Sequence, residues 1–198
     1  MRDLLNKVLY GSSGPQGAPN DGSTVFSIRP NSSDDLLFIT PAGAPKEAPP
    51  LYTVSKRLTK PSFVVFRGHP SPENTIATAT MHLTSSTVDL SVYNQHMVIK
   101  NSSLSGSWSF DTPNMGKFKW RVNPLTGTGF ELSDQAGQKL AKYGNAGLAR
   151  LGEKQLAVYV PGDEFFMVTV LLSAVASKEL AKVIDKVVGE VAGAVGGI

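Results

Sequence analysis

Residues 165–176 form a stretch of twelve in which Thr169 and Ser173 are the only polar side chains. A helix of that composition is apolar on every side, so it must be enclosed on every side, by protein or by lipid. Asp163 just upstream is a fitting N-cap, and Glu164 is a favourable acid for the first turn. Twelve residues span about 18 Å at 1.5 Å each, short of the roughly 30 Å hydrocarbon core of a bilayer. Lys178 and Glu179 then follow at once. Enclosure therefore falls to the rest of the chain. Beyond the apolar stretch, Leu180, Val183, Ile184, Val187 and Val188 keep an amphipathic spacing until glycines 189, 193, 196 and 197. The helix is expected over 163–188, with a Gly-rich loose tail over 189–198.

What precedes the helix reads as short strands. Apolar or β-branched runs at 25–28, 36–40, 51–54, 63–67, 75–83, 87–93, 97–100, 106–110, 117–122, 128–132, 139–143 and 156–160 are separated by clusters of Gly, Pro, Asn, Asp and Ser. Residues 41–50 hold four prolines, which cannot donate to a sheet ladder, and are expected to be a loop. Short strands at regular intervals suggest an antiparallel sandwich or barrel. The N-terminal stretch differs. Residues 11–23 are mostly Gly, Ser, Pro, Asn and Asp, so 1–23 is expected to be a flexible segment and 24–188 the folded domain.

At 198 residues the chain fits one domain, and 41% hydrophobic against 18% charged residues excludes general disorder. The absence of cysteine removes disulfides, thiolate metal sites and a cysteine nucleophile, and points to the cytoplasm. The first ten residues lack the continuous apolar core of a secretory signal, so no export by that route is expected.

No catalytic constellation is legible. There is no G-x-S-x-G elbow, and His69, His82 and His96 have neither metal-ligand spacing nor a carboxylate at triad spacing. The glycines at 127 and 129 lack the third glycine of a dinucleotide site and read as a hairpin. Trp108 and Trp120 are expected in the core rather than as base-stacking platforms, so no nucleic acid is expected. Neither a cofactor nor a metal is expected, and the protein is expected not to be an enzyme.

The one constellation with chemical content is basic. In Lys117, Phe118, Lys119, Trp120, Arg121 and Val122, strict alternation puts three cations on one strand face and three apolar side chains on the other. Lys139 and Lys142 fall on the next strand but one, and Arg150 and Lys154 in the loop after it. Residues 100–160 carry eight basic and four acidic side chains, a local excess of four against +3 for the whole chain. A solvated strand face needs polar residues in any case, but such a cluster also suits phosphate groups.

The segments Gly116 to Trp120, Phe130 to Leu132, Leu140 to Tyr143 and Leu156 to Val160, leading into the 165–176 helix, resemble the tubby C-terminal-like superfamily. That group includes the LURP-one-related proteins and phospholipid scramblases, and the chain looks closest to a fungal domain of unknown function within it. The match is one of pattern and covers about 51–183. The resemblance implies a closed antiparallel β-barrel of about twelve strands wrapped around a central hydrophobic helix. It also implies a non-catalytic binding module, since tubby relatives bind phosphoinositides. The expected phosphate contacts are then Lys117, Lys119, Arg121, Lys139 and Lys142. An anionic membrane lipid is the expected partner, reached by a cytoplasmic, peripheral monomer with no transmembrane segment. The alternative is a structural or protein-interaction domain that binds no lipid.

Overall fold

The computed structural model describes residues 23–33, 35–102, 105–122, 129–146 and 152–195. Twelve strands follow one another through the described residues: β1 (Thr24–Pro30), β2 (Leu36–Pro41), β3 (Tyr52–Lys56), β4 (Phe63–Arg67), β5 (Thr75–His82) and β6 (Thr87–Val92) form the first half. The second half is β7 (Gln95–Ser102), β8 (Ser107–Thr112), β9 (Gly116–Val122), β10 (Phe130–Ser133), β11 (Lys139–Asn145) and β12 (Lys154–Val158), followed by the helix α1 (Glu164–Val195). Each strand pairs antiparallel with its sequence neighbours, and β1 pairs with β12 to close the ring. In that last seam Phe26 lies opposite Leu156, while on its other side Phe26 lies opposite Pro41 of β2. Closure removes the free sheet edge that would otherwise template aggregation.

The alternation of side chains decides what faces the axis. On β6, Val88, Leu90 and Val92 are buried while Asp89 is exposed. On β9, Phe118 and Trp120 point inward, opposite Phe110 and Trp108 of β8. The Phe110 and Phe118 rings meet edge to face, 5.6 Å apart. Like β1 at Phe26, Ser27 and Ile28 and β12 at Leu156, Ala157 and Val158, β4 departs from alternation, with Phe63, Val64, Val65 and Phe66 all buried. Its continuous apolar run therefore has both faces covered.

The ring encloses α1. Every residue from Val168 to Ser177 is at most 1% exposed, so no side of this part of the helix meets water. A helix laid on an outer wall would show an exposed stripe every 3.6 residues. The buried length also fits: residues 166–180 span about 22 Å, close to the roughly 23 Å of a seven-residue strand. Past Leu180 enclosure falls away: Ala181 and Ile184 are only partly buried against the core, and Val187 is 52% exposed. Among the described residues no helix is long and apolar enough to cross a membrane.

The helix begins as the sequence suggests and ends later. Asp163 Oδ1 accepts the Phe166 backbone N–H at 2.8 Å, which is the geometry of an N-cap. The end expected at 188 is corrected by helical backbone that continues to Val195, and 196–198, the rest of the expected loose tail, lie outside the described residues. Gly189 and Gly193 each cost about 1 kcal/mol relative to Ala, but extending a formed helix requires no new nucleus. Residues 1–22, Gly127 of the expected hairpin, and Arg150 lie outside the described residues.

Candidate anion-binding surface

The outer wall over β9, β10 and β11 gathers all five of the basic residues singled out by the sequence. Because β9 alternates strictly, its buried Phe118 and Trp120 force Lys117, Lys119 and Arg121 outward, about 6.7 Å apart along the strand. Lys117 stands opposite Asp111 of β8, and Lys119 stands between Ser109 of β8 and Ser133 of β10. Arg121 lies opposite Glu131 of β10, which on its other side lies opposite Lys142 of β11. A bulge after Leu132 brings Lys139 level with Ser133, and its Nζ reaches Glu131 Oε2 at 3.1 Å. Lys139 is therefore an ion-pair partner within the face rather than an open cation.

Glu131 is the residue that sequence reasoning missed. It occupies the middle of the patch, with Arg121, Lys142 and Lys139 on three sides. A second omission is Lys100, exposed at the end of β7 opposite Ser109 and so in the same cross-strand row as Lys119. The alternation of Met97 and Ile99 inward could have placed it. Lys154, expected in a loop, instead opens β12, and its ammonium hydrogen-bonds Asn145 Oδ1. Burial, then the neighbouring charges of Lys182 and Lys178, hold the Lys154 ammonium below its usual pKa.

Three other polar groupings were not legible from spacing. His82 Nε2 and Asp89 Oδ2 are 2.8 Å apart on the outer wall, although spacing along the chain offers His82 no obvious carboxylate. The pairing arises because β5 and β6 are adjacent and Thr80 lies opposite Asp89. No hydroxyl hydrogen-bonds that imidazole among the described residues. At the rim where α1 enters, Arg67 grips Glu164 through Nε at 3.0 Å and Nη2 at 2.6 Å, and also donates to Tyr93 Oη at 3.1 Å. That cluster ties the first helical turn to β4 and to the left-handed turn at Tyr93 and Asn94 between β6 and β7. The third grouping lies under the proline-rich loop. Arg29 Nη2 donates to Thr40 Oγ1 at 3.0 Å and to the Pro45 carbonyl at 3.3 Å, pinning the loop over a cavity of about 590 Å³. Phe38, Lys46, Glu47, His69 and Glu153 line it as well.

Chemically, the β9–β11 face can hold several anionic oxygens in a row. Among the described residues no group of three His, Asp or Glu side chains is placed to hold a metal. Fold and surface together define a twelve-stranded antiparallel barrel around a hydrophobic helix, with a basic strip on one outer wall. Comparison of the chain with family models, with curated proteins and with solved structures returned no match.

Proposed function

We propose that this protein is a non-catalytic binding module, without a cofactor, that recognises the anionic headgroups of a phospholipid membrane through the outer face of β9–β11. The observation that carries this reading is the placement of Lys117, Lys119, Arg121 and Lys142 on one contiguous wall, where the Glu131 carboxylate is shared with Lys139. The resemblance to tubby-like proteins supports it, because the barrel around a central helix is the architecture that resemblance implies. On this reading the protein is an intracellular monomer that meets the bilayer peripherally, and nucleic acid is not its ligand.

Vesicle flotation at low salt, with and without phosphoinositides, is the test. Each cation near an acidic bilayer contributes about 1 kcal/mol, so the combined change Lys117→Glu, Lys119→Glu and Arg121→Glu lowers partitioning by about a hundredfold or more. Screening by salt weakens the wild-type interaction in the same assay. Wild-type protein that stays unbound at low salt removes the proposal and leaves a structural or protein-interaction domain.

A further inference from the structure

In a meander of antiparallel strands, alternate hairpins fall at the same end of the barrel. Among the described residues, the end from which α1 emerges is therefore built from the segments 31–33, 57–62, 83–86, 105–106 and 152–153, together with Asp35 and the helix past Leu180. Two leucines stand at the tips of neighbouring hairpins there. Leu58, between β3 and β4, is as exposed as a residue in an extended chain, at 109%, and Leu83, between β5 and β6, is 55% exposed. The two hairpins are braced against each other. Arg57 N–H closes the first onto the Ser62 carbonyl at 2.8 Å, and Ser62 Oγ accepts the Met81 N–H at the base of the second at 3.1 Å.

A single exposed leucine is unremarkable on any protein surface. Here the leucines coincide with a polarised distribution of charge. Arg57 and Lys60 flank Leu58 and are both exposed. Lys154, Lys178 and Lys182 crowd the helix exit closely enough that the charges of the latter two lower the pKa of the first. The described acids at this end are Asp35, which accepts from Ser33 Oγ, Glu153, Asp185, and Glu179, which pairs with Lys182 at 2.7 Å. The opposite end carries Glu73, Asp134, Asp163 and Glu164 against Arg67. A whole-chain charge of +3 thus hides a cationic end and an acidic end.

We infer that the helix-exit end docks end-on against an anionic bilayer, with Leu58 and Leu83 entering the boundary between headgroups and acyl chains and the surrounding lysines and arginine meeting phosphates. Convex apolar tips on neighbouring hairpins, the first flanked by Arg57 and Lys60, complement a soft layer that is anionic outside and apolar beneath. The exposed Val187, next to Lys186 on the emerging helix, extends the same pattern. The inference shares with the proposed function only the choice of an anionic membrane, since the docking residues are different ones.

The chain contains no cysteine, so single substitutions provide unique labelling sites. Leu58→Cys, Leu83→Cys and, as a control at the opposite end, Leu51→Cys would each carry an environment-sensitive fluorophore. The probe vesicles are phosphatidylcholine with about 30% phosphatidylserine. The expected result is a blue shift and a several-fold brightening at positions 58 and 83 with none at 51, and at least a tenfold loss of partitioning for the Leu58→Ser, Leu83→Ser double variant. If wild type floats but the labels at 58 and 83 stay in water, or 51 responds equally, end-on docking is overturned and the strand-face reading is untouched. If the labels still respond in the Lys117→Glu, Lys119→Glu, Arg121→Glu protein, the inference stands and the strand-face reading falls. No flotation of wild type overturns both, as would be expected of an end that docks on protein instead.

Discussion

Three hydroxyls on α1, those of Thr169, Ser173 and Ser177, lie four residues apart on one helix face, and all three residues are completely buried. Among the described residues only Ser173 finds partners. Its Oγ accepts the Trp120 indole N–H at 2.9 Å and donates to the Val170 carbonyl at 3.1 Å, whereas Thr169 Oγ1 and Ser177 Oγ have none there. Ser173→Ala leaves the fully buried indole N–H without an acceptor, which costs about 1–3 kcal/mol. Ser177→Ala and the isosteric Thr169→Val each remove a desolvated, unsatisfied oxygen, so their expected effect is neutral or stabilising by up to about 1 kcal/mol. Urea unfolding followed by far-UV circular dichroism gives midpoint and slope. Ser173→Ala should lower the midpoint at unchanged slope, and in thermal melts should lower Tm by about 2–4 °C per kcal/mol for a chain of this size. In a Trp120→Phe background the same change should cost little, because the donor it served is gone. Equal midpoint shifts for Ser173→Ala and Ser177→Ala would refute the assignment of the helix face.

Val170 is fully buried midway along the enclosed helix, so Val170→Asp should abolish the cooperative unfolding transition. A folded Val170→Asp protein would contradict an axial helix. Asp163→Ala removes the N-cap acceptor of Phe166 and should cost about 1 kcal/mol in the urea midpoint, while Asp163→Asn should retain most of it. Alkaline pH should destabilise the fold. Burial, with the Glu164 charge adding to it, pushes the Tyr52 hydroxyl up to about 12, and burial pushes Tyr143 up as well. Both tyrosines stay protonated in the fold after the unfolded chain has begun to ionise near pH 10, so their contribution is intact below that pH and lost as pH rises toward about 12. Urea midpoints measured across that window should fall, and Tyr143→Phe should make the fall shallower; an unchanged pH profile in that variant would sink the explanation.

Much of the molecule is written locally. The alternation Phe118, Trp120 against Lys117, Lys119, Arg121 specifies both a strand and its two faces, since side chains on extended backbone point to opposite sides. The unbroken apolarity of 165–176 specifies enclosure, and Asp163 specifies where the helix starts. The length of the helix was misjudged at the glycines because propensity reads the cost of each residue but not the benefit of continuing an element already anchored in a core.

Other features belong to the closed ring alone. That β1 meets β12 is a pairing between opposite ends of the folded chain, and no local pattern encodes it. The same is true of Glu131 among the cations, of His82 beside Asp89, of Trp120 against Ser173, and of Leu58 and Leu83 on one rim. Periodicity reports the direction in which each side chain points from its own backbone. Which side chains then become neighbours depends on strand order and register, and these are settled only when all twelve strands close around the helix that fills them.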